Sequence, residues 1–307
     1  MLLSRPDHYS FRYDLIFPLL GRLPYKLAYQ LAARQAGYFA RKHESQQERI
    51  ALQMRSVFPE AGPEQLSSWL ADYFRMVEQE ALDTWFLDSD RIPDLVQLKG
   101  FEKVDELRRS GQRVLLTGGH FGRFWMAGPA MRLHGHRVGT ITRDGGQENQ
   151  HGLHPAEYKY RLFKLKKLQQ VLGGPFLVEG EDLRPLYRRL DSSLITLIFD
   201  VPYVEKQPGG VTVPFLAGNI NVPAGIYRIA KKTKAVVVPF YIHDLGAGEV
   251  IAEFSEVLDP NNYNDEELMS LLVSELEMHI TARPGHWWLW EALPLLRSNN
   301  NEPNGSR

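Results

Sequence analysis

The stretch VLLTGGHFGRFWMAGPAMRL, residues 114–133, decides the fold. Its first residues, Val114–Thr117, form an apolar run of the kind found in a buried β-strand. A pair of glycines then permits a sharp turn, and Arg123 to Leu133 has the pattern of a helix. A strand, a glycine-rich turn and a helix in this order predict one βα unit of an open α/β sheet. His120 lies in the turn, at the C-terminal end of the strand, where such sheets bind their ligands.

Five further β-rich runs follow, separated by helical stretches. They are Val138–Thr142, Phe176–Val178, Leu194–Phe199, Ala235–Tyr241 and Val250–Phe254. This alternation predicts a single α/β domain whose core, residues 96–296, has a mixed, mainly parallel sheet flanked by helices. Pro223 is expected in the first turn of a helix that runs to about Lys232, and Asn264 before three acidic residues is expected to start another helix. The polar residues 297–307 are expected to be disordered.

Residues 1–95 have a different pattern, which predicts an N-terminal helical layer on the same domain. Periodic apolar residues between Leu66 and Phe86 predict one long helix. Ahead of it, the chain through His43 is basic, with apolar residues at helical spacing. The basic residues are Arg5, Arg12, Arg22, Lys26, Arg34, Arg41 and Lys42, and the apolar ones are Phe11, Leu15, Ile16, Leu19, Leu20, Leu23, Leu27 and Leu31. A basic amphipathic helix binds an anionic bilayer surface, although a helix packed on its own domain with a solvated basic face has the same pattern.

Composition and missing motifs exclude several classes of protein. The chain has 307 residues, of which 43% are hydrophobic and 24% charged, as in globular proteins. Its net charge of -1 argues against nucleic acid as a partner. The absence of cysteine excludes disulfides, thiolate nucleophiles and cysteine-ligated zinc. We recognise no secretory signal, no membrane-spanning run and no GxSxG, GxxxxGK[ST] or GxGxxG motif, and we expect neither a metal nor a cofactor.

His120 is the candidate catalytic residue. An accessible imidazole at a strand end suits a general base that takes a proton from an acceptor hydroxyl during acyl transfer. A covalent enzyme intermediate is not needed, in agreement with the missing cysteine and missing nucleophile elbow. Amides of the turn, or Arg123, are candidates to stabilise the oxyanion that forms. A histidine that only satisfies the hydrogen bonds of the turn is the alternative interpretation.

Several segments resemble the lipid A late acyltransferases and the related mycobacterial mannoside acyltransferases. LLTGGHFGRFWMAG resembles their histidine box, and further resemblances follow in the family's order over residues 12–295. They are ERIALQMRSVFPE, with Gln53 where Asn is usual, Ile141-Thr142-Arg143, LIFDVPYVEKQPGGVTVPFLAG, AVVVPFY, and PGHWWLWEALP, with Glu291 where a basic residue is usual. The resemblance implies acyl transfer from acyl carrier protein or coenzyme A to a hydroxyl or amine of a lipid or glycolipid acceptor. It also implies the cytoplasmic face of the inner membrane as the location.

One position departs from the family. The family's box is a histidine, four residues and an acid, but the fifth residue after His120 is Trp125. The missing carboxylate would fix the imidazole and stabilise its charged form. Asp200 is the best replacement, because it follows the run Leu194–Phe199 and should reach the same sheet edge as His120. A turn residue that only caps the strand is the alternative for Asp200, and Asp144 is a weaker candidate for the acid.

Further residues are candidates for binding rather than catalysis. Arg123, Arg143 and Arg161, and less strongly Lys159, could hold a phosphate, a carboxylate or the donor's phosphopantetheine, although each could equally be a solvated surface charge. The tryptophans at 287, 288 and 290 suit an acyl-chain wall, a membrane interface or a buried core. The departure at Trp125 also leaves a second hypothesis, a catalytically silent lipid-binding or scaffold protein on the same fold.

Overall fold

The computed structural model describes residues 7–143, 149, 152–203 and 209–298. Nine strands lie within these residues: β1 Val96–Lys99, β2 Val114–Gly118, β3 Arg137–Thr142, β4 Gly173–Val178, β5 Ser193–Ile198, β6 Gly210–Phe215, β7 Gly218–Pro223, β8 Val236–Gly246 and β9 Glu249–Phe254. Seven of them form one sheet in the order β1-β9-β8-β2-β5-β3-β4, and β6 and β7 form a separate hairpin.

The large sheet is mixed. Five neighbouring strands run parallel to one another: β8, β2, β5, β3 and β4. Strand β9 pairs with β8 in the antiparallel direction, and β1 pairs with β9 in parallel. The carboxyl ends of β2, β5 and β3 therefore meet at one edge of the sheet, in that order. The fold class that the sequence predicts, a mixed and mainly parallel sheet flanked by helices, is confirmed.

Helices cover both faces of this sheet. They are α1 His8–Ser10, α2 Phe17–Leu20, α3 Tyr25–Ala40, α4 Glu44–Val57, α5 Pro63–Asp83, α6 Ile92–Leu95, α7 Phe101–Arg109, α8 Ala127–Leu133, α9 Pro155–Leu172, α10 Arg184–Arg189, α11 Gly225–Thr233, α12 Asp265–Ala282 and α13 Leu293–Ser298. Side chains of β2 alternate between the faces, as the pleat requires. Leu115 packs in a core with α10, α11 and α12, whereas Val114 and Leu116 pack in a second core with α3, α8 and α9.

The N-terminal helices form a layer that is amphipathic as predicted. Between α1 and α2 the chain continues as a π-helix, Phe11–Ile16. Phe17 and Tyr29 are fully buried in the second core, which also contains Val114 and Leu116 of β2. On the outer side, four apolar side chains of the predicted stripe are 39–47% exposed, namely Phe11, Leu15, Leu19 and Leu27. Within the described ranges, no helix is long and apolar enough to cross a membrane.

The structure corrects the sequence prediction on three points. The four-residue strand β1 and the β6–β7 hairpin were not predicted, because β1 is short and the hairpin contains prolines and glycines that are typical of loops. Pro223 does not start a helix: it is the last residue of β7 and pairs with Gly210. A proline is tolerated there because it is the last residue of a two-stranded hairpin. Its missing N–H therefore removes no hydrogen bond from the interior of a sheet. Asn264 does cap α12, with a complete capping box, as predicted.

Candidate active site

His120 and Asp200 are in direct contact at the ends of neighbouring strands. β2 and β5 pair in parallel, so the residues that follow them meet at the same sheet edge. The Nδ1 of His120 lies 2.7 Å from Oδ1 of Asp200. The side chain of His120 is 29% exposed and that of Asp200 is fully buried. The carboxylate thus occupies one ring nitrogen, which leaves Nε2 as the nitrogen that can meet a substrate.

Asp200 also holds the backbone of the histidine turn. Its two oxygens both lie 2.9 Å from the backbone N of His120, which donates to them. Gly119 makes this approach possible, because a Cβ at that position would lie 2.9 Å from Oδ2 of Asp200 and 2.6 Å from Leu276. Asp200 is therefore more than a strand cap, since it binds both the ring and the main chain of His120.

The amides of the turn are already engaged. His120 N–H donates to Asp200, Phe121 N–H to the carbonyl of Gly119, and Gly122 N–H to the carbonyl of His286. Each of these three amides therefore has a partner inside the protein, and none of the three is free to stabilise an oxyanion in this arrangement.

The aromatic segment near the C-terminus forms hydrogen bonds with the histidine turn and with Asp200. Trp288 N–H donates to the carbonyl of His120 at 3.0 Å, and the indole Nε1 of Trp288 donates to the carbonyl of Gly122 at 2.8 Å. The indole Nε1 of Trp287 donates to Oδ2 of Asp200 at 2.9 Å. Trp287 and Trp290 are fully buried. Of the roles that the sequence left open for this cluster, these two rings belong to the core, whereas Trp288 lines the cavity described next.

A cavity of about 550 Å³ opens beside His120. Most of its wall is apolar. This part includes Trp125, which follows the histidine turn, and residues of α8, α9 and the sheet, namely Met131, Val138, Leu168, Leu172 and Phe240. Another part of the wall is charged and comes from the N-terminal layer and α9; it includes Arg12, Glu80, Glu157, Arg161 and Lys164. The cavity therefore offers an apolar region and a polar region to a ligand that reaches His120.

A comparison with protein families identifies the chain. The model of the bacterial lipid A biosynthesis acyltransferases matches residues 9–293. The chain belongs to this family. It is accordingly an acyltransferase of the lipid biosynthesis class, and the second hypothesis of a silent scaffold loses its main support once Asp200 is found beside His120.

Other comparisons add little. Among solved structures, the chain is similar to a 1-acyl-sn-glycerophosphate acyltransferase, PlsC, from Thermotoga maritima. The two share 16% identity over 82% of this chain and 95% of that chain, with a TM-score of 0.33. No sequence among curated proteins matches the chain.

Trp125, at the position where the resemblance predicts an acid, forms part of the cavity wall. It lies in a short 3-10 helix, Phe124–Met126, directly after the histidine turn. Its neighbour Phe124 packs edge-on against the His120 ring, with 5.5 Å between ring centroids. The substitution thus places an apolar ring in the wall, while the carboxylate that contacts His120 comes from the adjacent strand.

Arg123 does not take the role that the sequence suggested. Its side chain is fully buried, and Nη1 lies 2.6 Å from Oδ1 of Asp83. Nε lies 3.4 Å from Oδ2 of Asp244, and Nη2 donates to the carbonyl of Gly248. The guanidinium also stacks over the Tyr29 ring at 5.0 Å. Substrate binding by Arg123 is contradicted, because a ligand could reach it only by displacing these partners.

Two of the predicted binding arginines do line the cavity. Arg143 follows β3, donates to the carbonyl of Pro202 and lies over the Tyr203 ring, with its side chain 46% exposed. Arg161 lines the cavity from α9. Lys159 instead pairs with Asp14 of the N-terminal layer at 2.7 Å. Asp144 lies outside the described residues.

Sequence reasoning missed other residues of the site. Arg12, which the sequence analysis counted among the basic residues of the N-terminal segment, is buried and pairs with Glu78 at 2.6 Å while lining the cavity. Three histidines also surround Phe121, the residue after His120: His243, His279 and His286 lie 5.6, 5.7 and 5.9 Å from its ring. Burial lowers the pKa of His279 to about 4 and that of His286 to about 4. No sequence pattern linked these histidines, which come from three separate elements.

Proposed function

We propose that this acyltransferase moves a fatty acyl chain from a thioester, carried by acyl carrier protein or coenzyme A, to a hydroxyl or amine of an amphiphilic lipid or glycolipid. In this proposal His120 is the general base and Asp200 is its partner. The observation that carries it is the 2.7 Å contact between the two side chains beside a largely apolar cavity. The chemistry needs no other cofactor.

The reaction follows from this geometry. Nε2 of His120 takes the proton of the acceptor hydroxyl while the acceptor oxygen bonds to the thioester carbonyl carbon. The tetrahedral intermediate then collapses and the carbon–sulfur bond breaks. The imidazolium returns the proton to the leaving thiolate, so that an ester and a free thiol form. Asp200 stabilises the imidazolium and fixes the tautomer with a proton on Nδ1.

The cavity has an apolar region and a charged region that suit different parts of the substrates. Its apolar wall suits the acyl chain, since each buried methylene contributes about 0.8 kcal/mol of binding free energy. The charged part, which includes Arg161 and Arg143, suits a phosphate or another oxyanion of the acceptor or donor. We therefore retain these two arginines as proposed substrate-binding residues.

The N-terminal layer is proposed to rest on an anionic membrane surface, at the cytoplasmic face of the inner membrane. The side chains of Leu15 and Leu19 are exposed on this layer. The Lys159–Asp14 ion pair links the layer to α9, where Leu162 and Phe163 are 37% and 41% exposed. Arg12 and Tyr13 of the same layer line the cavity. A lipid acceptor that enters from this surface would therefore start beside the cavity wall.

The function is tested by transfer assays with an acyl thioester and a crude lipid acceptor pool. His120→Ala should lose about 10²- to 10⁴-fold in rate, because it removes the base. Asp200→Asn should also lose activity while it keeps the shape of the side chain. His134→Ala, an exposed histidine of the same βα unit, serves as the matched control and should keep the parent's rate. Transfer by His120→Ala at the parent's rate would disprove the mechanism.

The membrane proposal has its own test. Replacing Leu15 and Leu19 by Ser should weaken partitioning into anionic vesicles, because both side chains are more than two-fifths exposed and lose apolar area. Leu52→Ser, which is 64% exposed on α4, is the matched control. Equal partitioning of the parent and the double variant would show that the stripe is only a solvated face.

A further inference from the structure

The carboxylate of Asp200 depends on a donor that comes from the far end of the chain. It is fully buried, and a buried carboxylate needs hydrogen-bond donors at both oxygens if it is to remain charged. Oδ1 meets the His120 ring and backbone N–H. Oδ2 shares that backbone N–H and meets the indole N–H of Trp287 at 2.9 Å. Trp287 thus supplies the one side-chain donor to Oδ2 among the described residues.

Trp287 is itself held firmly. Its ring is fully buried and packs edge-on against Phe215 and Trp290, with centroids 5.5 and 5.1 Å apart. Residues on both sides of it bond to the histidine turn, because Gly122 N–H donates to the carbonyl of His286 and Trp288 N–H donates to the carbonyl of His120. The donor, the carboxylate and the imidazole therefore share one rigid frame.

We infer that Trp287 is a positioning residue of the acyltransferase: its indole N–H fixes the rotation of the Asp200 carboxylate, so that Oδ1 faces Nδ1 of His120. The inference rests on the proposed His120–Asp200 mechanism. Trp287 does not touch substrate, because it lies behind Asp200 and is absent from the cavity wall. Loss of the N–H would leave Oδ2 under-satisfied and allow the carboxylate to rotate away from the ring.

The expected consequence is a loss in turnover rather than in substrate binding. The free energy of a hydrogen bond to a charged group is large enough that its loss can lower a rate by about 10- to 100-fold. Trp287→Phe should therefore lower kcat by about this factor and leave KM nearly unchanged. Trp290→Phe is the matched control, because that ring is equally buried in the same cluster but donates to the carbonyl of Pro284 at 2.7 Å. It should keep the parent's kcat.

The test that separates positioning from mere packing is a double-mutant cycle. If Trp287 acts through Asp200, Trp287→Phe should lower kcat about 10- to 100-fold in the parent but hardly at all in the Asp200→Asn background. An equal loss in both backgrounds, or no loss in the parent, would overturn the positioning role and leave the proposed mechanism intact. An Asp200→Asn variant with the parent's rate would instead overturn the mechanism itself.

A second substitution covers the case in which the smaller phenyl ring prevents folding. Placing 3-benzothienylalanine at position 287 keeps the size and shape of the indole but puts sulfur where the N–H stood. This variant should melt near the parent's temperature and still lose kcat about 10- to 100-fold, since only the donor is gone. A parent-like kcat in this variant would refute the inference, because packing would then be sufficient.

Discussion

Acid should destabilise this protein through the histidines around Phe121. His279 and His286 are neutral when folded, because burial lowers the pKa of each from its ordinary value near 6.5 to about 4. Charged neighbours such as Asp244 favour protonation of His286, but desolvation is the larger effect. A depressed folded-state pKa means that the unfolded chain binds protons first as the pH falls. The stability that these neutral histidines provide is therefore complete above about pH 6.5 and is lost as the pH falls towards about 4.

The size of the effect follows from the pKa values. For His286, a change from 6.5 to about 4 corresponds to about 3 kcal/mol at about 1.4 kcal/mol for each pH unit. For His279, which is more exposed, solvent screening reduces this to about 1–2 kcal/mol. The sum, roughly 4–5 kcal/mol, is a large part of the about 5–15 kcal/mol that stabilises an ordinary domain.

Urea unfolding followed by tryptophan fluorescence at several pH values measures this dependence. Carboxylates also titrate in this range, so the comparison that matters is with a His279→Gln, His286→Gln double variant. The double variant should lose about 4 kcal/mol less stability than the parent between about pH 6.5 and about pH 4. His134→Gln, at an exposed position, should keep the parent's dependence. Parallel curves for the parent and the double variant would refute the reasoning.

Three further predictions concern residues around the site. Arg123→Met should lower the free energy of unfolding by about 3–5 kcal/mol in urea titrations, because it leaves the buried carboxylate of Asp83 and the partly buried carboxylate of Asp244 without their counter-charge. Gly119→Ala should lower stability by about 1–3 kcal/mol and reduce acyl transfer, since its Cβ would lie 2.9 Å from Oδ2 of Asp200; parent-like transfer would contradict this. Gly128→Ala should shift the donor preference, measured as kcat/KM, towards shorter acyl chains, because its Cβ would meet Leu172 of the cavity wall at 2.3 Å and push it inward. An unchanged preference would show that this part of the wall does not contact the chain.

Reasoning from strand ends predicted the pair at the centre of the site. His120 and Asp200 are 80 residues apart, yet each follows a buried strand, and parallel strands bring such positions to one edge. The same reasoning failed for Arg123, although it stands only three residues after His120. The orientation of the Arg123 side chain is set by Asp83 and Asp244, which lie 40 and 121 residues away in the sequence, on α5 and β8. A single sequence contains no signal for partners of that kind.

The role of Trp287 could not be predicted either, for a related reason. The sequence shows an aromatic cluster, and such clusters occur in cores, at interfaces and in acyl-binding walls. Which indole N–H meets a carboxylate depends on the register between the C-terminal segment and the histidine turn, where Phe121 and Trp287 pair as an antiparallel bridge. That register is a product of the whole fold.

The departure at Trp125 and the Asp200–Trp287 contact are best understood as one unit. An acid on the helix after the histidine turn could be solvated through the cavity, whereas an acid at the end of β5 is fully buried. A buried carboxylate is stable only if the surrounding protein provides donors, here the backbone N–H of His120 and the indole of Trp287. If Asp200 takes the role of the acid that the resemblance predicts at position 125, Trp287 supplies a donor that a buried carboxylate at the end of β5 needs. The fifth position after His120 can then hold an apolar ring in the cavity wall. We accordingly expect family members without an acid at that position to have both an acid at the end of β5 and a donor equivalent to Trp287. Members that lack the first acid and also one of this pair, yet transfer acyl groups, would show that the two features are independent.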